Sequence, residues 1–498
     1  MSQKSGMNVD GESDGRVVPT KCPNKGGGPP AEGMEGRRPT KENTVQTTSP
    51  RTQCRTSESS GLNGVREVAR KEKRTRFTAL LHHVTIDLLR ESYRGLKRDA
   101  APGVDGVTWT EYETGLEGRL AALHSRIQRG TYRAQPSKRA YIPKADGRRR
   151  PLGIAALEDK IAQQAVVSVL NQIYEEDFLG ISYGFRPGRS QHDALDALWV
   201  GLMRKKVNWV LDADIRGFFD TIDHEWMMKF IEHRIADRRI QRLIRKWLRA
   251  GVSEEGSWSK TEVGTPQGAV VSPLLANIYL HYVFDQWVTS WRKHRASGDI
   301  IVVRYADDIV MGFEHRADAA RFLEEWKDRL QKFGLTLHPD KTRLIEFGRD
   351  AAENRRQQGA GKPEVFDFLG FTHICGKTRK TGRFIVKRQT IRKRLSAKLS
   401  ELKEELRRRW HEPVAAVGKW LRSVVHGYFN YHAVPGNLDS LNCFRSQVNR
   451  LWYRALRRRS QRSRMTWNRF RVLVARWIPS VKILHPHPNL RFDARYPR

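Results

Sequence analysis

The sequence predicts an α+β fold followed by a strongly basic helical region, and three observations predict it. From Tyr132 to about Phe371, short β-type runs alternate with longer helical ones. Further on, Ile391, Leu395, Leu399, Leu402, Leu406 and Trp410 recur at helical spacing on one face, with KR and KEE on the other. Charge gathers in the same place: from Lys377 to Arg498, 31 Lys and Arg stand against 6 Asp and Glu. That stretch carries most of the net charge of +36 on 498 residues. A hydrophobic fraction of 39%, with 14 Trp, 19 Phe and 13 Tyr, is enough to fill a core.

The elements follow in order. Residues 1–64 contain no aromatic residue and are rich in Gly, Pro, Ser, Thr and Lys, so they predict a disordered tail. Order is expected from Val65 onward, where Phe77, Leu80, Leu81, Val84, Leu88 and Leu89 fall at helical spacing. YIPKADGRRRPLGI (141–154) reads as a hairpin turning at Ala145-Asp146-Gly147. WVLDADI (209–215), DIIVVRYADDIVMGF (299–313) and TRLIEF (342–347) read as strands. The segments 156–178, 224–235 and 317–334 read as helices that support a small antiparallel sheet. The chain therefore divides into a tail (1–64), an α+β domain (65–371) and a basic helical domain (372–498).

Composition narrows the partners. No stretch approaches the roughly 18 apolar residues of a membrane span, and the N-terminus has neither an apolar secretory core nor an Arg-rich amphipathic run. Cys22, Cys54, Cys375 and Cys443 are far apart, which fits a reducing cytosol rather than a disulfide scaffold. A charge of this size is usually offset by a polyanion, so nucleic acid is the first partner to consider and an anionic membrane surface the second; nucleic acid is the expected one, with no membrane. In the basic region Tyr428, Phe429, Tyr431, Trp452, Tyr453, Trp467 and Phe470 are interleaved with cations. They can fill a helical core or stack on bases, and the sequence leaves both open.

The sharpest local feature is RYADDIVMGF, in which two β-type runs flank Asp307 and Asp308 at a hairpin tip. Adjacent carboxylates repel each other unless a cation lies between them and a partner. The upstream strand VLDADIRGFFDTIDH offers Asp212 and Asp214, and beside the hairpin it would complete an all-oxygen site suited to Mg²⁺. Two such ions activate an attacking hydroxyl and neutralise a departing pyrophosphate. His82-His83 and the pair His485 and His487 lack acidic or cysteine companions and read as surface or RNA-facing residues.

YADD, together with DADIRGFFDTIDH, TPQGAVVSPLLANIYL and HPDKTRLIEFG, resembles the palm of reverse transcriptases. YIPKADGRRRPLGIAALEDKIAQQAV, SYGFRPGRSQHDAL and FDFLGF are similar to the group II intron branch of that family. IRKRLSAKLSELKEEL resembles its thumb, and WLRSVVHGYFNYHAVPGN its maturase-specific region. The resemblance runs from about residue 75 to the end, with the motifs in family order. It implies a right-hand-like polymerase with fingers and palm, then an α-helical thumb and maturase domain.

The resemblance also implies residue roles. Asp214, Asp307 and Asp308 would be catalytic and, with the Ile215 carbonyl, would hold two Mg²⁺ ions; Asp212 is the rival for the first place. Phe219, five residues after Asp214, would exclude a 2′-OH sterically. Lys144 and Arg150 would clamp the triphosphate, with Lys341 near it. Gln267 and Gly268 would lie beneath the nascent base pair. Arg186 would either support the template or serve the fold. Arg450, Arg454, Arg457 and Arg458, at spacings of three or four, form a stripe suited to an RNA backbone.

The implied activity is that of an RNA-directed DNA polymerase and maturase. It would bind its group II intron RNA, assist splicing, and copy the intron into cDNA from dNTPs on a primed DNA target. The implied place is a bacterial cytoplasm, near the nucleoid when bound to DNA. The C-terminal sequence WIPSVKILHPHPNLRFDARYPR lacks the paired cysteines of the family's HNH module, so no target cleavage is expected. Two alternatives remain: an RNA-binding splicing factor with a vestigial polymerase site, and a host-adopted reverse transcriptase without an intron. Oligomeric state is not legible.

Overall fold

The computed structural model describes residues 60–143, 149–254, 257–259, 263–265, 268–459 and 465–496. Residues 1–59 of the expected tail, the turn 145–147, Lys144 and Gln267 lie outside the described residues, and of Arg150 only the backbone is described. The first helix, α1 (Ser60–Lys71), begins inside the segment read as tail. Its Leu62, Val65 and Ala69 are buried, and it packs on α2 (Leu157–Asp177). Five residues of low aromatic content are therefore ordered by tertiary contact rather than by their own composition.

A hairpin of β1 (Ser137–Pro143) and β2 (Arg149–Ile154) pairs antiparallel, as its sequence suggested. After α2 comes α3 (Gln191–Arg204), then β3 (Trp209–Asp214). Two short strands, β4 (Val252–Glu254) and β5 (Ser257–Ser259), extend the first hairpin in the order β2-β1-β4-β5. Helix α4 (Ser272–Leu280) runs into a π-helical turn, His281–Asp285. Next come β6 (Ile300–Tyr305), β7 (Asp308–Phe313), α5 (Arg316–Lys332) and β8 (Arg343–Glu346).

The central sheet has the order β6-β7-β3-β8 and is antiparallel throughout. Alternate residues of β3 explain why both its faces are covered. Leu211 and Ala213 join a core shared with α2, α4 and α5, and Val210 joins a second core shared with α3. That second core also receives β9 (Phe366–Phe368), β10 (Phe371–Lys377) and β11 (Phe384–Thr390), a three-stranded antiparallel sheet. This sheet runs straight across residues 371 and 372, where the sequence reading placed a domain boundary. Hydrogen-bonded strands cannot be divided there, and the helical domain starts after Thr390.

The helical region contains α6 (Arg392–Arg408), α7 (Val414–His432), α8 (Leu438–Arg457), α9 (Trp467–Trp477) and α10 (Pro488–Arg495). Helices α6 to α9 share one core built on Leu402, Leu406, Leu421, Trp452 and Phe470. Tyr428, Phe429, Trp452 and Phe470 are buried, so core wins over stacking for these four. Trp467 is exposed, and Trp410 lies beyond the end of α6 and is 56% exposed rather than part of its apolar face.

The last helix leaves that domain. Helix α10 packs on α3, where Arg204 pairs with Asp493 at 2.7 Å and Arg495 pairs with Asp193. Asp196 of α3 receives both Arg388 at 3.0 Å and Arg491 at 2.5 Å. His485 and His487 lie beside this docking, His485 half-buried and His487 exposed at the surface. The His485 ring lies 4.0 Å from that of His192, and His487 meets Trp199 edge-on at 5.0 Å. Among the described residues no helix is long and apolar enough to cross a membrane.

Candidate active site

Strands β3 and β7 are neighbours, and their register sets Asp214 directly opposite Asp308. Directly opposed residues of an antiparallel pair carry their Cβ atoms about 5 Å apart. Asp307 occupies the two-residue turn between β6 and β7, beside that pair. Asp212 lies two residues back along β3, opposite Val310, and pairs with Arg343 at 3.3 Å. Burial pushes its carboxyl up to about 6, and Arg343 only partly offsets that. Of the two rivals, Asp214 is therefore the one at the hairpin turn.

The turn is held from beneath. Ala306 has a left-handed backbone, with φ of +56°. Its carbonyl accepts from the Arg304 guanidinium at 3.1 Å. Arg304 is fully buried and also donates to both oxygens of Asp285, at 2.7 and 2.5 Å, and to Asn277 Oδ1 at 3.0 Å. Reading for carboxylates missed this support. The available signal was an arginine inside the apolar strand IIVVRY, which a fold tolerates only with buried partners.

Asp308 is exposed to solvent at the start of β7, with acidic neighbours around it. Desolvation of its carboxyl, then Asp307, Asp214 and Asp212, push it up to about 7, and Arg394 at the start of α6 pulls the other way. Lys341 reaches Asp214 at 2.5 Å, so the structure brings this lysine to the carboxylate. Among the described residues no three acidic, histidine or cysteine side chains close into a ready metal cage. Like charges spread apart, and an ammonium group already serves Asp214. The donor set still fits a hard divalent cation. Three neighbouring aspartates raise the Asp308 pKa together, and a cation there relieves that repulsion.

Around the carboxylates the backbone is pinned. The main chain at Ile215 bridges to Leu337: His338 N donates to Asp214 O at 2.8 Å, and Arg216 N to Thr336 O at 2.9 Å. Phe218 is 2% exposed and packs in the core, whereas Phe219 is half-buried at the margin of that core, T-shaped to Phe218. Thr265 N donates to Phe219 O at 2.7 Å, which ties the start of the TPQG segment to this aromatic. Gly268 has φ of +107°, and a Cβ there would lie 2.6 Å from Gly153 O. Its missing side chain thus permits a close approach to β2.

Arg186 is buried on Glu175 at 2.9 Å and on the carbonyls of Leu179 and Ser182, so its role is in the fold. Arg450, Arg454 and Arg457 are exposed on α8, and Arg458 is exposed at its C-terminal cap. Phe185, which the sequence reading passed over, stands exposed beside Tyr305.

Residues 142–373 match the family described as reverse transcriptase (RNA-dependent DNA polymerase). The chain is 36% identical over 276 residues to the protein YkfC of Escherichia coli strain K12, covering 49% of this chain and 72% of YkfC. It is 38% identical over 196 residues to the group II intron-encoded protein LtrA of Lactococcus lactis subsp. cremoris, which is 39% of this chain and 32% of LtrA. A putative COX1/OXI3 intron 1 protein of Saccharomyces cerevisiae is 27% identical over 306 residues, 52% of this chain and 36% of that protein. The matched stretch thus spans about a third of the intron-encoded relatives. With Asp214 opposite Asp308 and Asp307 on the adjoining turn, the chain belongs to the reverse transcriptase family, and it is similar to group II intron-encoded proteins.

Proposed function

We propose that this reverse transcriptase binds a group II intron RNA, assists its splicing and copies it into cDNA at Asp214, Asp307 and Asp308. The observation that carries the reading is the register of β3 on β7, which faces Asp214 with Asp308. These three side chains and the Ile215 carbonyl would hold two Mg²⁺ ions. When bound, such ions activate the primer hydroxyl and neutralise the departing pyrophosphate. In this reading Lys341, paired with Asp214, lies near the triphosphate. The half-buried Phe219 crowds the 2′ position of an incoming nucleotide and favours dNTPs. Lys144 and Arg150 clamp the triphosphate, and Gln267 and Gly268 line the floor beneath the nascent pair.

The β1–β2 unit then serves as fingers, the four-stranded sheet as palm, and α6 to α9 as thumb and maturase domain. The exposed stripe Arg450, Arg454, Arg457 and Arg458 supports RNA binding there, because cations in a row neutralise successive phosphates. The remaining partners are a DNA target and primer.

The test changes Asp307 and Asp308 together to alanine. Primer extension on an RNA template should fall to background while filter-bound RNA affinity stays nearly unchanged, since binding rests on cations elsewhere. Robust extension by the double variant would sink the assignment. A parent protein that promotes splicing but extends no primer would favour the splicing factor with a vestigial site.

A further inference from the structure

Among the described residues three non-glycines have a left-handed backbone: Phe185 (φ +58°), Ala306 (φ +56°) and Leu369 (φ +45°). Two of them meet at the carboxylate turn. Gly184 lies so close to it that a Cβ would sit 2.3 Å from Ala306 N. The Gly184 carbonyl accepts from Asn277 Nδ2 at 2.8 Å, and the same amide's oxygen accepts from Arg304. On the other side, Arg186 is buried on Glu175 and two carbonyls. Both neighbours of Phe185 are thus locked, and the residue between them is forced into a region that a bulky side chain avoids.

Packing compensates the ring only in part. Phe185 is 47% exposed, belongs to none of the three hydrophobic cores, and faces Tyr305 at 6.5 Å with a tilt of 45°. Backbone strain and exposed aromatic surface both oppose folding, and Gly or Asn at this position would avoid both. Tyr305 immediately precedes the turn that carries Asp307 and Asp308, so the exposed ring stands at the polymerisation site.

We propose that the Phe185 ring is a stacking platform for a nucleobase of the primer–template, an inference that rests on the polymerase reading above. A ring face accepts any base, which suits an enzyme that must copy every sequence. Tyr305 offers a second aromatic face beside it.

Two variants test this. Phe185→Asn tolerates the left-handed backbone and removes the ring; Phe185→Tyr keeps the ring. With Asn, thermal stability should hold or rise, KM for primer–template should rise about tenfold, and kcat should change little. With Tyr, KM should stay near the parent's. A parental KM for Phe185→Asn, or a marked fall in its melting temperature, overturns the proposal, the second because it makes the ring structural. A primer ending in 2-aminopurine reads stacking without catalysis. Quenching by the parent and Phe185→Tyr but not by Phe185→Asn supports the platform, and equal quenching by all three overturns it. If the parent extends no primer, the polymerase reading fails, and the quenching arm still decides whether the ring stacks.

Discussion

Arg304 and Asp285 form a bidentate ion pair with no exposed surface on either side chain, and the same guanidinium holds the carbonyl of Ala306 at 3.1 Å. Asp285 closes the π-helical turn His281–Asp285 that follows α4. One extra residue in a helical turn rotates the helix downstream of it, a device often found at functional sites. The pair therefore links a helix irregularity to the backbone conformation of the turn bearing Asp307 and Asp308.

Removing one member strands the other. Arg304→Met should lower unfolding free energy by about 3–5 kcal/mol in urea, because Asp285 is left buried and unpaired. The double variant Arg304→Met with Asp285→Leu should recover much of that stability. Its primer extension should stay low, since Ala306 has lost its donor. Recovery of both would show that the pair serves only the fold.

Phe219→Ala should raise the ratio of rNTP to dNTP incorporation, with little loss of stability from a half-buried ring. Phe218→Ala should do the reverse: it opens a core cavity, costs about 3–5 kcal/mol and leaves sugar selection alone. Competition primer extension reads the first effect and urea unfolding the second. Sugar selection that changes with Phe218 and not with Phe219 would move the gate to Phe218.

Arg454, Arg457 and Arg458 changed together to alanine should weaken intron RNA binding. The log-log salt slope should flatten by about 2, at roughly 0.7–0.9 for each phosphate no longer neutralised. Splicing assistance at low Mg²⁺ should fall with it, and extension of a generic primer should survive. An unchanged slope in a salt titration would remove RNA binding from this stripe.

Acid should cost stability through buried histidines. Burial, chiefly, lowers His192 to about 2, His373 and His432 to about 3, and His281 to about 4. These rings stay neutral in the fold and take up a proton on unfolding below about pH 6.5, so stability falls as pH drops from there. Asp159 and Asp212, pushed up to about 6 by burial, act in the opposite direction. The clean readout is therefore one residue: between pH 7.5 and 5, the parent should lose about 2 kcal/mol more than His373→Phe. Equal losses in urea unfolding would mean that His373 is already charged in the fold.

The strands of the central sheet were legible because their apolar runs are short and bounded, and the hairpin tip because two acidic residues interrupt them. Its neighbour β3 was legible as a strand, and its pairing with β7 only as a condition. Pairing depends on the packing of α2, α4 and α5 against one face, which no local pattern records. The reading of Trp410 as part of a helical stripe failed because periodicity does not say where a helix ends.

By itself the sequence determined the chemistry available: two adjacent aspartates at one turn, two more on an upstream β-type run, an aromatic five residues after Asp214, and a basic helical region with its own apolar face. Those are properties of order and spacing, which the chain carries unfolded. The tertiary structure decided which of Asp212 and Asp214 meets the hairpin turn, that Arg304 braces it, and that Arg186 is buried. It also decided that α10 returns to α3 across nearly three hundred residues of chain, as the 289-residue separation of Arg204 and Asp493 records. Such pairings come from burying charge and apolar surface between distant segments, so their energy exists only once the fold has brought the partners together.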